Sequence, residues 1–347
     1  MTLPTLTERE QAVLSAVIDS FVRTAAPAGS RRIGKDYGLG VSPATIRNTM
    51  ADLEGKGLLT HPYTSAGRLP TDLAYRYYVN ALMQRGRIRR RDRAKIEREF
   101  RDVEVGGVED LVSKAARVLS LLTGELGLAV GPTLATATLE RLELVPVSSE
   151  KVLLVFTIES GVVRTIYVDV TTRVPRETLH AVSQALNERL AGSTISEIQT
   201  TLRERLGDLR FDSEGADELM NIFVHSGPDI FDWARRERDV HLGSTAALAE
   251  QPEFTTSERL RQLLLLTERR ELLATVLGDR GGSDGPHVTI GTEHGQPELE
   301  DLTIVTANYS VGSLQGTVGV IGPTRMPYEK VVSIVDWTSA LLTRLTP

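Results

Sequence analysis

No cysteine occurs in the 347 residues. Disulfides and thiolate metal sites are therefore excluded, and the chain suits a reducing compartment, so a cytoplasmic location is expected. No uninterrupted apolar run approaches the roughly 20 residues that cross a bilayer, and no membrane partner is expected. The opening MTLPTLTEREQ lacks the apolar core of a signal peptide. Catalytic signatures are missing too. There is no H-E-x-x-H, no G-x-S-x-G and no P-loop. The six histidines are scattered. The glycines at Gly312, Gly316, Gly319 and Gly322 match neither a dinucleotide fingerprint nor a phosphate loop. No enzyme activity, no metal and no cofactor are expected.

What is present is ordinary in bulk and uneven in place. Apolar content of 41% and charged content of 25% fit a folded globular chain, and the length accommodates two or three domains. The net charge of −6 argues against nucleic acid until its distribution is read. Residues 1–93 hold 15 Lys and Arg against 8 Asp and Glu, a net +7; the remainder holds 25 against 38, a net −13. A basic end on an acidic body is the asymmetry of a chain whose one end meets phosphate. The acidic remainder discourages non-specific wrapping of DNA.

The basic end has internal order. Thr7-Glu8-Arg9-Glu10 reads as a capping box, with Val13, Leu14, Val17, Ile18, Phe21 and Val22 as the buried stripe of the helix it opens. Pro27-Ala28-Gly29 breaks the chain, Ser30 caps a short second helix, and Gly38-Leu39-Gly40 turns into a third. In VSPATIRNTMADLEGKGLLTHPYTSAGRLPT, residues 41–71, Ser42 is the expected N-cap and Pro43 the first helical residue. Ile46, Met50 and Leu53 turn inward, leaving a small, polar, non-acidic outer face. Leu58 to His61 can extend, Pro62 to Gly67 can turn, with Gly67 easing a tight tip, and Arg68 to Pro70 can return. Three helices followed by strand, tip and strand read as a winged helix-turn-helix.

In such a module the third helix reads the major groove. Arg47 can hold guanine with two hydrogen bonds, Asn48 can do the same for adenine, and Thr45 suits a base edge or a thymine methyl. Ala44 lies on the same short-chained face, and Ser42 and Thr45 can also reach phosphate. The wing offers His61, Tyr63, Thr64, Ser65 and Arg68. Two alternatives stay open: Arg47 as a phosphate contact without base information, and His61 as an ordinary strand residue.

Further on, Thr71 caps a helix with Tyr75, Tyr78, Val79 and Leu82 along one side. The run RGRIRRRDR, from Arg85 to Arg93, is either a phosphate contact or the solvated face of a linker helix, and the acidic residues Glu97 to Glu104 can neutralise it. Val105-Gly106-Gly107 reads as a hinge. Leu139–Val147, Lys151–Glu159 and Val162–Val170 alternate as a three-stranded antiparallel meander, followed by helical segments to about residue 236. Val152, Leu154, Phe156, Val163 and Ile166 give that meander more apolar surface than one helical layer covers. A dimer surface is therefore expected there, with simple core packing as the other reading. The segments from Asp239 onward add short strands, one or two helices over Ser257–Leu277 and a last helix over Tyr328–Leu345. The Gly-rich stretch from Gly312 to Gly322 is read as structural turns in preference to a small-molecule pocket.

Residues 41–79, residues 316–337 (GTVGVIGPTRMPYEKVVSIVDW) and QPEF at 251–254 resemble the bacterial heat-inducible transcription repressor HrcA family over nearly the whole chain. Pro327 stands where that family's pattern has an acidic residue. The resemblance implies an α+β multidomain chain. A winged helix-turn-helix would occupy residues 1–75 and a helical linker 76–106. A GAF-like α/β domain, 107–138 with 237–347, would be interrupted by an inserted dimerisation domain, 139–236, with a three-stranded antiparallel sheet and helices. It also implies a homodimer, an inverted-repeat operator (CIRCE) in double-stranded DNA upstream of chaperone operons, and dependence on the GroEL chaperonin.

Overall fold

A computed structural model of the chain describes residues 3–62, 67–84, 88–101, 108–132, 134–171, 173–209, 211, 214–231, 240–278 and 285–345. The first three helices are α1 (Glu8–Thr24), α2 (Ser30–Tyr37) and α3 (Pro43–Gly55). Helix α1 opens on the full capping box, in which the Thr7 hydroxyl accepts from Glu10 N–H while the Glu10 carboxylate accepts from Thr7 N–H. Helix α2 starts one residue earlier than expected in cap terms: Gly29 is its N-cap and Ser30 its first residue. Gly38 and Gly40, at φ 56° and 69°, make the turn into α3, because both positions need the left-handed region. Val13, Leu14, Val17, Ile33, Ile46 and Leu53 meet in the centre of the module.

Strands β1 (Leu59–Thr60) and β2 (Leu69–Pro70) pair antiparallel behind α3. Ala28, in the break between α1 and α2, exchanges both backbone hydrogen bonds with Arg68 at 2.9 Å and adds a third segment to this small sheet. The approach is so close that a Cβ at Gly67 would lie 2.7 Å from the backbone of Pro27 and Ala28. Gly67 is therefore required by this crossing; the tip that it was expected to ease lies outside the described residues.

Helix α4 (Asp72–Tyr77) is capped by Thr71 and runs into a π-helical turn over Tyr78–Leu82. The module does not end as a free arm. Tyr75 and Tyr78 pack on Tyr328, ring centroids 5.6 and 6.4 Å away. Arg76 grips Glu293, with Nε to Oε1 at 2.6 Å, and donates to the Val288 carbonyl at 2.7 Å. Asp72 accepts from Thr292 N–H. One apolar core runs from the winged module into the body without a break.

Helix α5 (Arg90–Arg101) belongs to the same core. Ile96 and Phe100 are buried, and Arg93 stacks on the Trp337 ring with its guanidinium carbon 4.5 Å from the centroid. The expected hinge at Val105-Gly106-Gly107 lies outside the described residues.

The body is a five-stranded antiparallel sheet built from β3 (Leu126–Val130), β7 (Val240–Leu242), β8 (His287–Ile290), β9 (Leu302–Val311) and β10 (Leu314–Pro323). Their order is β7-β3-β10-β9-β8. Alternate residues serve opposite faces, as the two-residue period of a strand demands. Val305, Ala307, Tyr309, Val318 and Val320 face α6 (Val108–Thr123) and the C-terminal helix. Leu128, Val130, Ile304 and Ile321 face two helices, Ser257–Glu268 and Arg270–Gly278, on the other side. Ser257–Leu277 is thus two helices. The chain enters this sheet at α6 and β3, leaves it, and re-enters it at β7. Its glycines serve close packing: a Cβ at Gly316 would strike the Tyr309 ring and one at Gly322 the Glu125 carboxylate.

Between β3 and β7 sits the insert. Strands β4 (Leu139–Pro146), β5 (Lys151–Ile158) and β6 (Val162–Asp169) form the antiparallel meander, in the order β4-β5-β6. Helices α7 (Arg176–Leu190), α8 (Ile195–Leu206) and α9 (Glu214–Ile230) close one face over a separate core. Val152, Leu154 and Phe156 lie inside that core and are unavailable to a partner. The opposite face is the exposed one. There Tyr167 stands beside Leu153 and Leu153 beside Val145 in cross-strand register, with Val163 paired to Thr157. Tyr167 is 64% exposed and Val163 56%.

Candidate nucleic-acid interface

Helix α3 is presented by local chemistry. The Ser42 hydroxyl accepts from Thr45 N–H at 3.1 Å and shares a 2.9 Å hydrogen bond with the Thr45 hydroxyl. Two of the expected contact residues are therefore engaged with each other at the helix start. No acidic residue lies in the first turn, so the positive end of the helix dipole is left uncompensated, which favours an approaching phosphate. Ala44, Arg47, Asn48 and Ala51 are exposed along one side, while Ile46, Thr49, Met50 and Leu53 are buried on the other. Small side chains beside Arg47 and Asn48 let the helix backbone come near the floor of a groove.

The wing base is clasped to the recognition helix. Glu54, in the last turn of α3, pairs with Arg68 Nη2 through Oε2 at 2.8 Å and with His61 Nδ1 through Oε1. Both basic wing residues named from the sequence thus meet one carboxylate. Arg68 is only 22% exposed in its side chain, and its buried Nε has no hydrogen-bond partner among the described residues. Tyr63, Thr64 and Ser65 lie outside the described residues. Glu54 itself was not singled out from the sequence. The available signal was its place: an acid in the last turn of the helix, with His61 just after β1 and Arg68 just before β2.

A second ion pair ties the helices together. Lys56, at the end of α3, donates to Glu10 at 2.7 Å, and that hydrogen bond with those from Thr7 holds the Glu10 carboxyl below the usual carboxylate range. At the junction with the body, Arg325 holds Glu253 with two hydrogen bonds of 2.6 and 2.9 Å and donates to the Val22 carbonyl of α1 at 2.7 Å. Gln251 donates to Glu125 at 2.9 Å. Burial pushes the Glu125 carboxyl up to about 8, with the Gln251 hydrogen bond opposing it. Three of the four residues of the QPEF segment therefore build the joint: Phe254 fills the core beneath Gln251 and Glu253.

Residues 109–332 match the family model described as the HrcA protein C terminal domain. The chain belongs to the HrcA family. It is 39% identical over 340 residues to the heat-inducible transcription repressor HrcA of Chlorobium chlorochromatii, covering 97% of this chain and 96% of the relative. It is 38% identical over 347 residues to the HrcA of Chlorobaculum tepidum, again covering 97% and 96%. A crystal structure of a hypothetical protein at 2.2 Å resolution superposes with a TM-score of 0.62 and 22% identity over 98% of each chain. That likeness concerns the fold alone. The relatives are named as transcription repressors, a non-enzymatic role, and no helix among the described residues is long and apolar enough to cross a membrane.

Proposed function

We propose that this HrcA-family chain is a heat-inducible transcription repressor that binds an inverted-repeat operator in double-stranded DNA, upstream of chaperone operons, from the cytoplasm. The observation that carries the reading is the exposed outer face of α3, free of acid in its first turn, with Arg47 and Asn48 adjacent beside Ala44 and Ala51. Ser42 and Thr45 fix the helix entry, Arg47 and Asn48 meet base edges, and Tyr63, Thr64 and Ser65 carry the wing tip along the backbone. His61 and Arg68 act at the wing base, through the Glu54 carboxylate that positions them.

The repressor works as a homodimer, because an inverted repeat presents two equivalent half-sites and two-fold symmetry must be matched. The surface that pairs the copies is the outer face of β4–β6. Its Val145, Val163 and Tyr167 form an exposed apolar cluster of the kind that marks a protein–protein contact. The division of labour follows the chain: residues 1–75 bind DNA, 76–106 connect, 107–138 with 237–347 form the controlling domain, and 139–236 pair the copies. GroEL dependence of the active state is carried over from the family resemblance and has no residue assigned to it.

The test is a mobility-shift titration of the purified protein against promoter fragments of chaperone operons, at stated salt. Tight binding to the full inverted repeat and weak binding to one half-site are expected. Equal affinity for both would remove the dimer, and equal affinity for unrelated duplex would remove sequence reading.

A further inference from the structure

Helix α5 carries a face that the proposed operator contacts leave unused. At about 100° per residue, its side chains sort by sign. Arg90, Arg101, Ala94, Arg98, Arg91 and Lys95 follow one another around a sector of roughly 140°. Arg90, Arg91, Arg98 and Arg101 are exposed. Ile96 and Phe100 point the opposite way, into the core. The nearby acids do not cancel the stripe. Glu97 lies on the far side of Arg90 and is bonded to Arg93 at 2.9 Å, while Asp92 and Glu99 sit beyond Lys95. Among the described residues, none of the four exposed arginines has a carboxylate within ion-pair distance. Of the acids expected to neutralise the run, Glu97 is taken up by Arg93, and Asp102 and Glu104 lie outside the described residues.

We propose that this face grips the phosphates of the duplex that flanks the operator half-site, adding a second, sequence-independent contact to the one made by α3. The proposal rests on the DNA-binding reading above. A lipid surface is a poorer fit, because an interfacial helix needs a free apolar side and here that side is buried under Trp337 and the core. Four arginines to one lysine suit phosphate, whose oxygens accept the paired donors of a guanidinium. The dimensions suit a duplex. Twelve residues of helix extend about 18 Å, which spans about five phosphates of one strand. The eight residues from Leu82 to Arg90 reach at most about 29 Å, less than one turn of DNA.

The experiment titrates the full-length protein against two duplexes, the inverted repeat alone and the repeat with about 20 unrelated base pairs on each side, from about 50 to about 200 mM salt. The wild type should bind the flanked duplex at least about tenfold more tightly at low salt, with a salt slope steeper by about 0.9 for each added phosphate contact. The triple variant R90A/R98A/R101A should bind both duplexes equally and keep the wild-type affinity for the trimmed one. The matching Arg→Lys triple should retain most of the flank effect. Equal slopes on the two duplexes for the wild type, as expected if the stripe serves an acidic protein instead, would overturn the proposal without any variant. So would a flank effect that the alanine triple keeps. Failure of the wild type to bind even the trimmed operator would instead overturn the DNA-binding reading, and this proposal with it.

Discussion

Helix α3 and the outer face of β4–β6 are both exposed, yet they are built from opposite chemistry. The helix turns Ala44, Arg47, Asn48 and Ala51 to solvent, and none of them loses by staying wet. The sheet turns Val145, Val163 and Tyr167 outward, where each square ångström of apolar surface left in water costs about 25 cal/mol. A face of the first kind suits a contact that forms and breaks with salt and temperature. A face of the second kind suits a contact that stays covered. Under the proposed function, the difference separates two jobs along one chain: an address read reversibly, and a pairing of readers that outlasts each reading event.

The largest break in that comparison should come from the sheet. The double variant Y167D/V163D is expected to raise the dimer dissociation constant about 100-fold or more, roughly 3 kcal/mol, as measured by sedimentation. Operator affinity should fall towards that of a half-site while α3 is untouched. An unchanged dimer would assign the pairing to another surface.

The wing comes next. Gly67→Ala places a methyl group against the Pro27–Ala28 backbone, and a loss of about 2–4 kcal/mol is expected. It should appear in thermal unfolding and in faster hydrogen exchange of β1 and β2, with dimer mass unchanged. Retention of wild-type stability would mean that the Ala28–Arg68 bridge gives way easily.

Arg47→Ala sharpens the chemistry of the reading face itself. A cost of about 1–3 kcal/mol concentrated at one operator position identifies a base contact. A uniform loss across sequences, with a salt slope shallower by about 0.9, identifies a phosphate contact instead.

The smallest effect concerns the joint that holds the two regions in one molecule. The folded Glu125 carboxyl is raised to about 8, above its ordinary unfolded value. Between those two values the folded state holds a proton that the unfolded chain has released. Stability from this group is therefore full at low pH and is lost as pH rises towards about 8. Glu125→Gln should flatten the fall in melting temperature between pH 5 and 9, keeping the Gln251 donor satisfied through its amide oxygen. A variant with the wild-type pH profile would show that Glu125 is ionised throughout.

Much of the winged module could be read in advance because its determinants are local. The Thr7–Glu10 box, the Ser42 cap, Pro43 and the Gly38–Gly40 turn lie within a few residues of the bonds they make. The meander was readable for the same reason: alternation within each run sets which residues share a face. What alternation could not settle was which face the helices would cover. Val152, Leu154 and Phe156 looked as available as Val163 until α7, α8 and α9 closed over them. The site was legible in residue type and less so in role. Arg68 and His61 looked like free basic contacts, and the Glu54 carboxylate that engages both is seven residues from one and fourteen from the other.

The sequence by itself determined where α1 and α3 begin, which side of α3 faces solvent, the three-strand meander and the basic-to-acidic split of the chain. Those properties follow from caps, glycines and periodicity, whose ranges are a turn of helix or a pair of strands. Only the tertiary structure decided that the module is docked on the body through Arg76, Tyr75 and Arg325, that Glu54 clasps the wing, that Glu97 pairs with Arg93 on α5, and which sheet face stays bare. Each depends on groups brought together from far along the chain, as Arg325 meets Val22 across 303 residues. Packing of whole elements, rather than local preference, sets such distances.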